Sequence, residues 1–131
     1  MHRILQPEGW ARPRGYSNGV SAKGRTIHVA GQIGWTPDQQ LVPGGLVAQT
    51  KQALANIVAV LAEDGARPEH LVRLTWYVTD RAAYLAAAQE IGAAYRDVIG
   101  RYYPAMSAVE VSALMESHAE VEIEATAIVP L

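Results

Sequence analysis

Glu120-Val121-Glu122-Ile123-Glu124-Ala125-Thr126-Ala127-Ile128-Val129 is the stretch whose reading decides the fold. Val121, Ile123, Ala125, Ala127 and Val129 fall on one side of an extended chain, and Glu120, Glu122, Glu124 and Thr126 on the other. A period of two excludes a helix, whose apolar residues recur every three to four positions. The stretch is a strand with one face on its own core and a charged face outside.

Working outward, Leu71 to Val78 alternates in the same way. Val72, Leu74, Trp76 and Val78 point one way, and Arg73, Thr75 and Tyr77 the other. Ser107 to Val111 reads as a short strand, and Thr26 to Ala30 as another that ends in a loop at Gly31. Leu46 to Asp64 carries Leu46, Ala53, Leu54, Ile57 and Leu61 at helical spacing, with Gly65 as a stop and Pro68 beyond. Arg81 to Ile99 reads as one alanine-rich helix striped by Tyr84, Ala88, Ile91 and Tyr95, and Gly100 follows it. Strands, helix, strand, helix and two strands make an α+β fold, a mixed sheet with two helices packed on one face. The opposite face holds Ala30, Tyr77, Ala108 and Thr126 and is partly apolar. Such a face meets a partner, so a homo-oligomer is expected.

Composition sets the outer limits. The chain has 131 residues, 11 Lys+Arg against 13 Asp+Glu, and 50% hydrophobic residues. One domain spanning residues 1–131 is expected, with a core that needs no staples. The absence of cysteine excludes disulfides, thiolate catalysis and Cys-ligated metals. No long apolar run marks a membrane helix, and Pro7 and Glu8 interrupt the segment where a signal peptide would be apolar. A net charge of −2 gives no general nucleic-acid or membrane footprint. The expectation is a soluble cytoplasmic protein.

Several local patterns invite chemistry. Gly15-Tyr16-Ser17-Asn18-Gly19 matches the G-x-S-x-G nucleophile elbow. That elbow needs a helix after it and a large hydrolase sheet, whereas residues 19–29 read as strands and a turn. The pattern is therefore read as a turn. His2, His28, His70 and His118 have no metal-ligand spacing, so no metal site is expected. Arg3, Arg12, Arg14, Lys23 and Arg25 crowd the N-terminal quarter, while five glutamates and no Lys or Arg follow from Glu110 onward. An anion-binding N-terminal region is one reading of this asymmetry; charge pairing between neighbouring strands, together with a solvated surface, is the favoured one. The row Glu120, Glu122, Glu124 suits an ordinary solvated face. A carboxylate of that row desolvated at a subunit interface would instead suit a general acid/base.

Six segments together resemble the Rid (YjgF) family of reactive-intermediate deaminases, a family also described as endoribonuclease L-PSP. They are Gly15-Tyr16-Ser17-Asn18-Gly19-Val20, Val29-Ala30-Gly31-Gln32-Ile33, residues 49–57 (QTKQALANI), Tyr77-Val78-Thr79-Asp80, Tyr103-Pro104-Ala105-Met106-Ser107 and Val121-Glu122-Ile123-Glu124-Ala125. Their order and spacing cover nearly the whole chain. The resemblance implies a chorismate-mutase-like fold in a homotrimeric barrel, with a small-molecule ligand in each inter-subunit cleft. It implies hydrolytic deamination of an imine or enamine, without metal or organic cofactor. No nucleic-acid or membrane partner is expected. The endoribonuclease reading is disfavoured because the chain is slightly acidic and shows no evident paired-base site for cleaving RNA.

The resemblance also assigns residues. It makes Tyr16 and Glu122 the catalytic candidates, Glu122 orienting water or moving protons. It makes Gly31, Ile33, Met106, Ser107 and Ala108 the substrate-binding candidates. Deaminating members of the family read Pro-Ala-Arg-Ser, whose arginine grips the substrate carboxylate. Here the segment is Pro104-Ala105-Met106-Ser107, and Met106 has neither charge nor donor. Ala108 stands where the family carries cysteine, and Ala88 where it often carries asparagine. Three readings follow: a substrate lacking a carboxylate at that end, a metabolite bound without chemistry, or replacement of the missing cation by Arg14 or Arg101.

Overall fold

The computed structural model describes residues 2–131. Its elements run β1 (Arg3–Leu5), β2 (Gly19–Ser21), β3 (Arg25–Gln32), α1 (Gly45–Ala62), β4 (Leu71–Val78), α2 (Arg81–Ala86), α3 (Ala88–Val98), β5 (Ala105–Glu110) and β6 (Val121–Val129). A 3₁₀ turn over Pro68–His70 leads into β4. β1 and β2 form an antiparallel pair, and the main sheet has the order β3-β6-β4-β5. β6 pairs antiparallel with β3 and β4, and β4 pairs parallel with β5. The domain is therefore α+β, with a mixed sheet and three helices.

The alternation in β6 sets the layers. Val121, Ile123, Ala125 and Ala127 are buried, and Glu122, Glu124 and Thr126 lie on the face without helices. Leu54, Ile57 and Leu61 of α1 are fully buried within the same core cluster, together with Leu74, Trp76 and Val78 of β4. Each such side chain stabilises the fold by about 1.5–3 kcal/mol through burial. By length and composition α1 could cross a membrane, but this buried stripe makes it the core helix of the domain. Gln49, itself buried, ties α1 to the chain entering β6. Its amide donates to the His118 carbonyl at 3.2 Å and accepts from the Glu120 N–H at 2.8 Å.

Five local expectations are corrected. The segment 81–99 is not one helix, because Ala87 at φ −96° and ψ 13° separates α2 from α3. Alanine is the best helix former, so the break reflects packing of the two halves rather than propensity. β3 does not stop before Gly31 but continues to Gln32 through a bulge. A second bulge between Leu71 and Arg73 puts Leu71, rather than Val72, in the core. Glu120 precedes β6, which begins at Val121, and its backbone N–H is held by Gln49. Ala108 pairs with Trp76, which packs on the helices, so Ala108 belongs to the helix side of the sheet and not to the open face.

Candidate functional site

The bulge in β3 shapes the first half of the site. Val29 pairs with Ala125 and Gln32 with Ile123, so Ala30 and Gly31 together oppose the single Glu124. An extra residue bends the strand and re-aims what it carries. Gly31 is thereby brought against Glu122, two positions along β6. A Cβ built on Gly31 would lie 2.0 Å from Oε2 of Glu122. Only glycine leaves room for that carboxylate against the backbone. Beside it, the Tyr77 hydroxyl donates to Glu124 Oε1 at 2.7 Å. That bond to a carboxylate holds the Tyr77 phenol above its ordinary pKa. Glu124 is thus engaged, while no ion pair among the described residues occupies Glu122.

The second half gathers at the far strand. Ser17 forms an isolated parallel bridge with Ala105 and donates its N–H to the Pro104 carbonyl at 3.0 Å. Its hydroxyl donates to the Tyr103 carbonyl, and the residue is buried. A hydroxyl so committed is no exposed elbow nucleophile, in keeping with the turn reading of this segment. These contacts fix the adjacent Tyr16, which stays 42% exposed at the margin of β5.

Met106 pairs with Leu74 and packs on the core, so it lies on the helix side. It lines a cavity of about 290 Å³ with Arg14, Trp76, Tyr84, Tyr95 and Tyr103. Ser107 is exposed on β5, in register with Thr75 of the open face. Ala108 is exposed on the helix side of this edge strand. Ile33 is buried in the domain, and its carbonyl accepts from Asn56 Nδ2 at 3.2 Å. Arg101 lies elsewhere, in a cavity of about 530 Å³ with His2, His70 and Tyr102. No three metal-ligating side chains converge among the described residues.

The candidates therefore form two groups. Gly31 and Glu122 meet on the open face, whereas Met106 and Ala108 lie on the opposite side of the sheet, and Tyr16 adjoins Ser17, which bridges to Ala105 at the start of β5. β5 is two strands from β6, about 10 Å at ordinary strand spacing. A single chain does not bring Glu122 to Met106. The aromatic wall of the Met106 cavity went unread in the sequence, where Trp76, Tyr84 and Tyr95 register only as core positions. Burial raises the phenol pKa of both Tyr84 and Tyr95, and the Tyr95 hydroxyl donates to the Tyr102 carbonyl.

The sequence model of the family described as Endoribonuclease L-PSP matches residues 10–129. The chain is 37% identical over 114 residues to the 2-iminobutanoate/2-iminopropanoate deaminase of Mus musculus, covering 86% of this chain and 80% of that one. It is 36% identical over 126 residues to a RutC family protein of Pyrococcus abyssi, covering 95% and 94% of the two chains. Among solved structures it is similar to the Rid family protein YyfB of Yersinia pestis, with a TM-score of 0.85 and 42% identity over 98% of both chains.

Proposed function

The chain belongs to the Rid (YjgF) family, also described as endoribonuclease L-PSP, and from that premise we propose that it hydrolyses an imine or enamine in a cleft between subunits. The observation that carries this reading is the separation of the two groups. Glu122 against Gly31 faces the uncovered side of the sheet, while Tyr16 and Met106 stand at the β5 margin. A second copy laid over the open face joins one chain's Glu122 to its neighbour's Tyr16. Closed threefold symmetry satisfies every such face equally, giving the chorismate-mutase-like barrel. A cytoplasmic location belongs to the same proposal.

In that cleft the chemistry is addition of water across C=N. Glu122 takes a proton from water as its oxygen bonds to the imine carbon. The proton passes to nitrogen to give a tetrahedral carbinolamine; Glu122 then moves the hydroxyl proton to the same nitrogen as the C–N bond breaks, releasing ammonia and leaving a carbonyl. Atoms balance as imine plus water giving ketone plus ammonia. Tyr16 offers a hydroxyl for the intermediate. This chemistry needs no metal or organic cofactor, and the ligand is a small molecule rather than a nucleic acid or membrane.

Met106 moves substrate preference away from that of relatives carrying arginine there. Met→Arg differences at a carboxylate site are worth several kcal/mol in such a cleft. The test is ammonia release from imines generated in situ by an amino-acid oxidase, with Glu122→Gln alongside. Release by wild type that falls in the variant supports the reading. Binding of keto acids without any ammonia release would instead assign the protein to metabolite binding.

A further inference from the structure

The cavity beneath Met106 contains a feature that the deaminase reading does not use. Trp76 is 4% exposed and lines the cavity, and its Nε1–H is buried without a hydrogen-bond partner among the described residues. Burying an unpaired donor costs about 1–3 kcal/mol, so native proteins rarely leave one. Around it stand Tyr84, edge-on to the indole at 6.3 Å, and Tyr95 at 6.4 Å. Tyr103 stacks on Tyr95 at 5.4 Å. Ile91 and Met106 complete the apolar wall.

Cations line the same cavity. Arg14 and Arg96 both border it, both are exposed, and neither enters an ion pair among the described residues. Arg96 is folded back over α3, its Nη1 3.3 Å from where a Gly92 Cβ would stand. An aromatic box and two guanidiniums without an ion partner describe a ligand with two parts: a ring and an anionic group.

We propose that this cavity selects aromatic 2-imino acids and their 2-keto products, with Arg14 and Arg96 holding the carboxylate and the ring packing against Trp76, Tyr84 and Met106. The assignment rests on the deaminase reading for its chemistry and adds the substrate class. It also gives Met106 a role: an arginine there would put a charge into the apolar wall, whereas methionine packs against a ring. The cation lost at Met106 is replaced at the rim by Arg14, not by Arg101, which lies in the other cavity.

The test is calorimetric titration of the intact protein with phenylpyruvate and pyruvate. Phenylpyruvate binds at least about tenfold tighter, because its ring buries apolar surface that pyruvate lacks. Arg96→Ala weakens phenylpyruvate binding several-fold while leaving the buried core untouched. In wild type, the Trp76 indole N–H resonance moves on titration with phenylpyruvate, a readout that needs no variant to fold. Equal affinity for the two keto acids, or an unmoved indole resonance, overturns the assignment. Ammonia assays separate it from the deaminase reading. Turnover of the alanine-derived imine but not the phenylalanine-derived one defeats the aromatic assignment and spares the deaminase. Tight phenylpyruvate binding with no ammonia from either imine spares the cavity and defeats the deaminase.

Discussion

Gly31 and Glu122 occupy one space: the Cβ that Gly31 lacks would fall 2.0 Å from the Glu122 Oε2 atom. The β3 bulge delivers the glycine backbone to the point where β6 presents its carboxylate. The two residues therefore act as a unit, and a side chain at position 31 moves the carboxylate rather than the backbone.

Gly31→Ala tests this directly. The clashing atoms are the far end of a flexible side chain, so Glu122 swings away at little cost in stability, within about 1 kcal/mol. Ammonia release falls far more, by roughly a hundredfold, as expected when a reacting group is misplaced by an ångström. Glu122→Gln falls comparably, and the double variant falls no further than the worse single one. Thermal melts beside turnover measurements check both halves. Full turnover in Gly31→Ala would separate the glycine from the chemistry.

Gly34 gives the opposite outcome from similar geometry. A Cβ there would lie 2.4 Å from the Gln49 Cα, backbone of α1. Nothing flexible yields, and Gln49 also holds the entry to β6 through the Glu120 N–H. Gly34→Ala is expected to cost more than about 2 kcal/mol in urea unfolding, within the range of Leu54→Ala in the core. A loss below 1 kcal/mol by the same measure would mean that α1 shifts freely at this point.

How much of this was legible in the sequence depends on the distance over which the deciding contact acts. The alternation of Val121, Ile123, Ala125 and Ala127 is local, and it placed the core face correctly. The bulges at Ala30-Gly31 and at Leu71 to Arg73 are set by register with β6, which no local pattern reports. Alternation alone therefore puts Val72 in the core, where the structure has Leu71. It also puts Ala108 on the open face, because its true face follows from parallel pairing with Trp76, thirty-two residues earlier. The family resemblance named Gly31, Glu122 and Met106 but not their separation across the sheet. Trp76 looked like any core aromatic, since an unpaired indole N–H exists only once its neighbours are packed.

Tyr95 predicts an alkaline weakness. Burial pushes its phenol above the ordinary range, and its hydroxyl donates to the Tyr102 carbonyl. The folded state then holds this proton more tightly than the unfolded chain, whose tyrosines titrate near pH 10. Stability from this group is complete below that pH and is lost as pH rises above it toward the folded pKa. Tyr84, raised by burial as well, adds to the same slope. Tyr95→Phe should lower stability near pH 7 by about 1–2 kcal/mol, since the Tyr102 carbonyl loses its donor. The variant should also show a shallower loss between pH 9.5 and 11, roughly the window set by an unperturbed tyrosine. Urea unfolding of both proteins across that range checks the sign, and parallel slopes would contradict it.

The open sheet face carries the last prediction. His28, Ala30, Arg73, Thr75, Glu124 and Thr126 surround a shallow cavity there, with no helix above it. Thr75 is half-buried and pairs with Glu124, already held by Tyr77. Thr75→Glu sets two carboxylates directly opposite each other. On a solvated face this costs about 0.2–1 kcal/mol, too little to unfold the domain. Under a second copy of the chain both charges lose water, and the penalty rises to several kcal/mol in every interface of a closed ring. Light scattering should therefore give about three times the 14.1 kDa chain mass for wild type and a single chain mass for Thr75→Glu. Thr75→Ser, equal in polarity and without charge, should keep the wild-type mass. In the proposed shared cleft Glu122 meets Tyr16 of a neighbouring copy, so ammonia release should disappear with the assembly although position 75 belongs to neither residue. A Thr75→Glu protein that keeps both mass and turnover would show that the copies meet elsewhere, and the shared cleft would fall with the trimer.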